Sequence, residues 1–325
     1  MKNIGIIGVG EYLPKKILTN QDLEKMVDTS DEWIITRTGI KERHIAADGE
    51  CTSDLAIKAA QEALHNAHLK AEDIDLLIVA TVTPDMPLPA VACIVQNALG
   101  AKNAASFDIS AACAGFVYAL SIAHQFLAQG TYKKALLIGA ETLSSVTDWK
   151  DRNTCVLFGD GAGAVVLSEV SSGGIIATHL SCDGSKIGLL NIPAGGSRKP
   201  ASSKTLEARE HYVKMEGNEL FKIAVNTMTN AAQQVLKKAG LTFSDVDLVI
   251  PHQANSRIIM AVAKKLGIAE DKIYLNIEKC GNMSSASTAT ALVEAVKKGR
   301  VKKGDIILLD AFGAGLVCGA SIIKW

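Results

Sequence analysis

The chain has 325 residues, of which 48% are hydrophobic and 21% are charged, an ordinary composition for a globular protein with a large core. Its 34 basic and 34 acidic residues cancel, so overall charge recruits neither nucleic acid nor an anionic membrane. Any charged partner must therefore bind a local patch.

The N-terminal stretch MKNIGIIGVGEYLP predicts a first β-strand and not a signal peptide. No apolar run reaches the ~20 residues that a membrane-spanning helix needs. Seven cysteines without CxxC spacing favour reduced thiols over disulfides or a zinc site, and they stand at positions 51, 93, 113, 155, 182, 280 and 318. We therefore expect a cytoplasmic protein that holds no metal.

Short runs rich in Ile, Leu and Val alternate with helical periodicity, which predicts an α/β architecture. Three segments of the first half are similar, in the same order, to three of the second: 71–85 to 243–255, 129–141 to 298–312, and 158–167 to 312–323. This repeat predicts two pseudo-symmetric halves, residues 1–172 and 173–325, with a shared site where they meet.

The stretch DISAACAGF (108–116) places Cys113 among small residues at the predicted start of a helix. Such a cysteine usually packs as a small hydrophobe. A helix N-terminus also favours the thiolate, and a strained strand-to-helix turn would present the sulfur to a cavity. When the two similar halves are aligned so that Gly130 pairs with Gly299, Cys113 pairs with Asn282. Asn282 likewise stands just before a predicted helix.

The glycine-rich segment FGDGAGAVVL (158–167) lacks the lysine of a P-loop and runs into a strand. We therefore predict tight turns at β-bends here, not nucleotide binding. AFGAG (311–315) is a candidate for an oxyanion site built from backbone N–H groups.

His252 follows the predicted strand DLVI and precedes a helix, which is where open α/β sheets bind ligands. It could equally close a loop, just as Asn282 could be a helix N-cap. If Cys113 is a nucleophile, His252 and Asn282 are neutral hydrogen-bond donors that would stand beside it. That combination suits acyl transfer through a thioester.

Six segments together resemble β-ketoacyl-acyl carrier protein synthase III, the initiating condensing enzyme of bacterial type II fatty acid synthesis. They are DTSDEWIITRTGIKER (28–43), DISAACAGF (108–116), GDGAGAVVL (159–167), VKMEGNELFK (213–222), PHQANSRI (251–258) and CGNMSSAS (280–287). The resemblance spans nearly the whole chain. It implies a thiolase-like five-layer αβαβα fold with two pseudo-symmetric halves, and a homodimer.

The resemblance also implies a decarboxylative condensation of a short acyl-CoA, acetyl or branched, with malonyl-acyl carrier protein. Cys113 would take the acyl group, and backbone N–H groups of Cys113 and Gly313 would form the oxyanion hole. His252 and Asn282 would bind the malonyl thioester carbonyl and stabilise the enolate as carbon dioxide leaves. No cofactor is implied beyond the CoA and phosphopantetheine thioesters that serve as substrates.

Further roles follow from the same resemblance. The CoA contacts would be Trp33, Arg37 and Arg152 at the adenine and Asn255 at the pantetheine arm. The acyl pocket would be lined by Leu88, Leu143, Phe158, Leu190 and Met215, although each could equally be ordinary core. The acidic carrier protein would meet Lys222, Arg257, Lys264 and Lys265, which could equally form a solvated face.

Three positions depart from the family pattern. Leu88 stands where an aromatic residue, contributed across the dimer, is common. Met283 replaces a small polar residue, and Ala314 replaces a glycine. These departures leave the choice of acyl starter open.

Four other classes of protein compete with this interpretation. A papain-like protease also uses Cys, His and Asn, but its CGSCW-like context is missing. A 3-hydroxy-3-methylglutaryl-CoA synthase needs an acidic base near the thiol that the sequence does not place. The third class is a related thiolase-fold acyltransferase of polyketide metabolism. The fourth is a thiolase-fold binding subunit that has lost its nucleophile, and the presence of Cys113 argues against it.

Overall fold

The computed structural model describes residues 2–325. The strands are β1 (Ile4–Tyr12), β2 (Lys16–Thr19), β3 (Glu42–Ile45), β4 (Leu76–Ala80), β5 (Ala105–Ile109), β6 (Lys134–Thr142), β7 (Asp160–Glu169), β8 (Gly174–Cys182), β9 (Leu190–Asn191), β10 (Lys214–Met215), β11 (Leu248–Pro251), β12 (Ile306–Gly313) and β13 (Val317–Lys324). The helices are α1 (Asn20–Glu24), α2 (Asp31–Thr38), α3 (Thr52–Asn66), α4 (Val91–Leu99), α5 (Gly115–Ala128), α6 (Arg152–Cys155), α7 (Ser203–Glu207), α8 (Gly217–Ala239), α9 (Ser256–Leu266), α10 (Ile277–Cys280) and α11 (Ser285–Lys297). Within residues 2–325, every helix is too short or too polar to span a lipid bilayer.

Two mixed sheets repeat the same strand order. The first sheet runs β1-β7-β6-β4-β5 and the second runs β11-β12-β13-β8. The strands β4, β6, β7 and β1 of the first sheet thus correspond to β11, β12, β13 and β8 of the second. The three pairs of similar sequence segments lie on these equivalent strands, so the predicted pseudo-symmetry is present in the fold.

Helices fill the space between the two sheets and cover both outer faces. The helices α5 and α11 pack between the sheets in the largest apolar cluster. The helices α3 and α4 cover the outer face of the first sheet, and α8 lies on the outer face of the second. The result is the expected five-layer αβαβα architecture.

Small residues let the central helix α11 approach the first sheet very closely. A Cβ atom on Gly163 would lie 2.6 Å from both the Ala289 Cβ and the Thr290 nitrogen of α11. Gly163 lies inside β7, so the prediction of tight turns in FGDGAGAVVL is wrong. Gly163 provides room for helix packing, which a sequence pattern alone does not distinguish from a turn.

Candidate active site

Cys113 lies on a strained turn between β5 and α5. The strand ends at Ile109, a 3₁₀ turn covers Ala112–Ala114, and α5 begins at Gly115. Ala112 has φ +43°, in the left-handed region that non-glycine residues rarely adopt. The predicted strand-to-helix elbow is therefore confirmed, and Cys113 lines a cavity.

The cavity has a volume of about 880 Å³ and is lined by residues of both halves of the chain. Cys113 comes from the first half, whereas His252, Asn282 and Gly313 come from the second. The volume falls within the range of small-molecule sites. The structure thus brings the candidate catalytic residues to one cavity.

The Asn282 backbone is held by a segment of the first half. Its N–H donates to the Leu157 carbonyl at 2.8 Å, and its carbonyl accepts from the Gly159 N–H at 3.0 Å. The Asn282 Oδ1 accepts a bond from the Ser284 N–H at 2.9 Å, so the Nδ2 group is the part left to donate elsewhere. Ser284 occupies the N-cap position of α11, which argues against the N-cap interpretation of Asn282.

His252 follows β11 and is almost fully buried, with 2% of its surface exposed. Its backbone N–H donates to the Asp310 carbonyl at 2.8 Å, and its Nδ1 has no hydrogen-bond partner. Burial lowers the pKa of His252 to about 3, so the imidazole is neutral at physiological pH. A neutral imidazole can carry its single proton on Nε2 and donate from there.

The neighbouring Gln253 amide fixes the chain around His252. Its Nε2 donates to the Pro251 carbonyl at 2.8 Å and to the Tyr274 carbonyl at 3.2 Å, while its Oε1 accepts from the Asn276 N–H at 3.1 Å. These bonds join the end of β11 to the segment that leads to Asn282. The loops that carry His252 and Asn282 therefore share one support.

Gly313, at the end of β12, lies directly against the backbone of Cys113. A Cβ atom on Gly313 would lie 2.5 Å from the Cys113 nitrogen. Because such a contact is too short for any side chain, only glycine fits here. The two residues predicted to form the oxyanion hole are thus neighbours, and the role itself stays a prediction.

The charge state of Cys113 differs from the sequence expectation. Burial raises the pKa of the thiol to about 12, and the nearby Ser284 hydroxyl lowers it only in part. The expectation that the helix N-terminus favours a thiolate is therefore wrong for the resting site, because desolvation of the sulfur is the larger effect. Cys113 and His252 are both uncharged at neutral pH.

Glu141 is a buried carboxylate beside these residues that the sequence analysis did not single out. Its Oε2 accepts from the Val82 N–H at 3.0 Å and the Thr83 hydroxyl at 2.7 Å, and its Oε1 lies 2.8 Å from the Ser285 hydroxyl. Burial raises the pKa of Glu141, while these hydrogen bonds oppose that shift. The sequence signal for this residue was an acidic side chain at the end of the apolar strand ALLIGAE (135–141).

Trp33, which lines the cavity, has two guanidinium groups close to its ring. The Cζ atoms of Arg37 and Arg152 lie 5.7 Å and 4.7 Å from the centroid of the Trp33 ring. Arg152 is held by a 2.7 Å bond to the Asp28 carbonyl. The three residues predicted to contact adenine therefore form one cluster of an aromatic face and two positive charges.

Asn255 also lines the cavity, but its amide already has partners. Its Oδ1 accepts from the Arg257 N–H at 2.9 Å and caps α9, and its Nδ2 donates to the Arg37 carbonyl at 3.0 Å. The side chain thus ties α9 to α2. Its contact with a pantetheine arm stays a prediction.

The predicted acyl-pocket residues divide into two groups. Phe158, Leu190 and Met215 line the cavity. Leu143 is buried in the same apolar cluster as these three residues but is not among the residues that line the cavity, so its assignment to the lining is corrected. Leu88 is 84% exposed and lies outside the cavity of its own chain.

Met283, one of the departures from the family pattern, points away from the cavity. It is fully buried in a small cluster with Cys280, Ala286 and Leu13. The position therefore does not influence the acyl starter by direct contact.

The predicted carrier-protein residues lie on two packed helices. Lys222 and Arg257 line the cavity mouth, and Lys264 and Lys265 are exposed in the last turn of α9. Two acidic residues that the sequence analysis did not consider also line this cavity, Glu216 and Glu219. The mouth is therefore mixed in charge, with the basic residues extending outward along α9.

Comparisons with family models and with individual proteins point to the same family. The family model for 3-oxoacyl-[acyl-carrier-protein (ACP)] synthase III matches residues 107–184, and the model for its C-terminal part matches residues 236–325. A β-ketoacyl-[acyl-carrier-protein] synthase III of Caldanaerobacter subterraneus is 60% identical over 322 residues, which cover 99% of this chain and 97% of that protein.

Two solved structures share the fold over almost their whole length. A 3-oxoacyl-[acyl-carrier-protein] synthase III of Aquifex aeolicus aligns with a TM-score of 0.92 and 51% identity, covering 99% of this chain and 100% of that one. The priming β-ketosynthase of the R1128 polyketide biosynthetic pathway aligns with a TM-score of 0.93 and 36% identity, covering 99% and 96%.

The raised pKa of Cys113 leads to a testable pH dependence. We expect alkylation of Cys113 by iodoacetamide to accelerate about tenfold per pH unit from pH 6 to 9, because only the thiolate reacts. Peptide mass spectrometry measures the rate at this residue, and Cys113→Ala identifies the labelled peptide. A rate that levels off below pH 8 would contradict the raised pKa.

Proposed function

The chain belongs to the β-ketoacyl-[acyl-carrier-protein] synthase III family, and we propose that its cavity performs both half-reactions of this family with Cys113, His252 and Asn282. It is an acyltransferase that condenses a short acyl-CoA with malonyl-acyl carrier protein to 3-ketoacyl-acyl carrier protein, CoA and carbon dioxide. This step initiates fatty acid synthesis. The convergence of the three residues on one cavity carries the assignment of their roles.

In the first half-reaction the Cys113 sulfur attacks the thioester carbon of the acyl-CoA. The tetrahedral oxyanion accepts hydrogen bonds from the Cys113 and Gly313 N–H groups, and each such donor is typically worth ~3 kcal/mol. The bond from carbon to the CoA sulfur then breaks. The thiol proton lost by Cys113 ends on the departing CoA, so the step is balanced.

In the second half-reaction the malonyl thioester carbonyl accepts bonds from the His252 Nε2 and the Asn282 Nδ2. The bond to the malonyl carboxylate breaks, carbon dioxide leaves, and its electron pair forms an enolate on the thioester. The enolate carbon attacks the acyl carbon on Cys113. The released Cys113 sulfur takes up one proton and returns to the thiol.

Neutral donors are sufficient because decarboxylation makes the carbanion without a base. His252 is held neutral by burial, and the Asn282 Oδ1 is occupied by the Ser284 N–H, which directs the Nδ2 donor toward the cavity. This arrangement also argues against a protease, in which a histidine must accept a proton from the cysteine.

The substrate arms are assigned to the remaining lining residues. We propose that Trp33, Arg37 and Arg152 hold the adenosine part of CoA, that Asn255 lies along the pantetheine arm, and that Phe158, Leu190 and Met215 enclose the acyl group. Because the thioesters themselves supply the reacting groups, we propose that no further cofactor takes part.

The first experiment is an intact-mass measurement after incubation with a panel of acyl-CoAs. We expect the wild-type protein to gain the mass of an acetyl or a branched short acyl group, and Cys113→Ala to gain none. The preferred adduct identifies the starter.

His252→Ala and Asn282→Ala are the matched variants for this measurement. Both are expected to acquire the acyl group but to lose ~100-fold or more in condensation with malonyl-acyl carrier protein. Absence of any adduct on the wild-type protein would remove the first half-reaction and with it the role of Cys113.

We propose that the carrier protein docks where α8 and α9 meet the cavity mouth. Lys222 and Arg257 flank the entrance, and Lys264 and Lys265 extend the positive charge along α9. An acidic partner bound there would place its phosphopantetheine arm into the cavity.

Charge reversal tests this docking surface. We expect Lys264→Glu combined with Lys265→Glu to raise KM for malonyl-acyl carrier protein about fivefold at low salt while acylation by acyl-CoA is unchanged. Lys237→Glu combined with Lys238→Glu, at the far end of α8, makes the same charge change as a control. Equal effects of the two pairs on KM would place the carrier protein elsewhere.

We propose a homodimer formed through the free edge of the first sheet. The strand β5 pairs only with β4, and the loop before α4 exposes Leu88 and Met86. An unpaired edge strand beside exposed apolar side chains favours pairing with a second copy. Leu88 would then enter the acyl pocket of the partner.

Analytical ultracentrifugation tests this interface. The expected mass is twice the chain mass of 34.3 kDa. Leu88→Arg should shift the protein toward the monomer and slow acylation, because a charge would be buried at the interface. Ile176→Arg, on the edge strand β8 of the second sheet, is the matched control, and a monomeric wild type would exclude the proposal.

We further propose that the enzyme is cytoplasmic. The support is that all seven cysteines are free thiols in this structure. The intact-mass experiment checks this as well, because alkylation of the denatured protein should add seven labels.

A further inference from the structure

The side chain of Arg43, on β3, is fully buried without an acidic partner. It is the largest of the fully buried side chains, and the described part of the chain places no carboxylate within ion-pair distance of it. Buried charges in proteins are normally paired, because removing a charge from water is costly. The buried charge of Arg43, which has no acidic partner, therefore requires an explanation.

The guanidinium group instead donates to neutral oxygens on separate parts of the chain. Its Nη1 donates to the Asn20 Oδ1 at 2.9 Å and to the Leu18 carbonyl at 3.2 Å, and its Nη2 donates to the Val156 carbonyl at 2.8 Å. Burial lowers the pKa of Arg43 to about 10, which still leaves the group charged at neutral pH. Arg43 therefore ties the β2–α1 region to the segment that begins at Val156.

The same side chain packs against both sides of the Asn282 backbone pairing. A Cβ atom placed on Gly159 or on Gly281 would lie 3.1 Å from the Arg43 Cβ. Gly281 directly precedes Asn282, and the Gly159 N–H donates to the Asn282 carbonyl. Arg43 thus lies behind the two backbone segments that hold Asn282 at the cavity.

We propose that Arg43 is a positioning residue for Asn282: it holds the Val156–Gly159 segment so that the Asn282 amide meets the malonyl thioester carbonyl. This inference rests on the proposed function of Asn282. A guanidinium suits the task because it is planar, has several donors in a rigid fork and is weakly hydrated. A lysine has neither the fork nor the same reach.

The geometry predicts that the two half-reactions respond differently. Cys113 follows β5 and Gly313 ends β12, so the sulfur and both oxyanion donors stand on elements that Arg43 does not bond. Of the proposed acyl pocket, only Phe158 lies in the supported segment, and it supplies no reacting atom. Asn282 depends directly on the supported segment. Loss of Arg43 should therefore impair decarboxylation and condensation while acylation by acyl-CoA continues.

The experiment compares Arg43→Lys and Arg43→Met with the wild type. Single-turnover acylation is followed by intact mass, and carbon dioxide release from malonyl-acyl carrier protein is followed with the acylated enzyme. We expect carbon dioxide release to fall 10- to 100-fold, as for a misplaced catalytic group, and acylation to stay within threefold. Arg43→Lys, which keeps the charge and some donor capacity, should fold even where Arg43→Met does not, and should show the smaller loss.

Arg300→Met is the matched control, because Arg300 also donates to a backbone carbonyl, that of Asp271, outside the site. It should leave both rates unchanged. Equal loss of both half-reactions in folded Arg43→Lys, or no loss of either, would overturn the positioning role. If the wild type itself neither acylates nor releases carbon dioxide, the proposed function fails instead.

Discussion

The fold depends at its centre on one buried carboxylate, Glu141, which joins the two halves where the chemistry is assembled. Its oxygens accept from Val82 and Thr83 in the first half and lie against Ser285 at the start of α11 in the second. Leaving such a group without its partners would cost its full desolvation penalty, so the bonds hold both halves in one arrangement. The segment that follows β4 and the start of α11, three residues after Asn282, are consequently fixed relative to each other.

Desolvation decides the electrostatics of the cavity. Burial raises the pKa of Cys113 and lowers that of His252, so the proposed nucleophile and the proposed hydrogen-bond donor are both uncharged at rest. A neutral site suits a reaction in which the substrate itself releases carbon dioxide and thereby generates the negative charge. The donors then bind a charge that exists only during the reaction, which is the condition for stabilising a transition state over the substrate.

Close backbone approach is the second requirement of this architecture. Gly163 lets the small-residue helix α11 pack tightly on β7, and Gly313 lets the end of β12 lie against the Cys113 nitrogen. Each contact brings an element of one half within reach of the other. Arg43 fills the remaining gap behind Asn282, where an apolar side chain would leave the Val156 carbonyl without a donor.

The sequence by itself determined the layered α/β architecture and the repeat and marked Cys113, His252 and Asn282 at element boundaries, because strand periodicity and the residues at strand ends are local properties. The specific roles expected of these three residues came from the resemblance to the synthase III family. It also suggested the strained turn at Cys113. Only the tertiary structure decided that the thiol is protonated, that Gly163 of β7 packs against a helix, and that Leu143 does not line the cavity. Desolvation, the distance between a helix and a sheet, and the set of residues that line a cavity arise from contacts between residues far apart in the chain, and no local pattern encodes them.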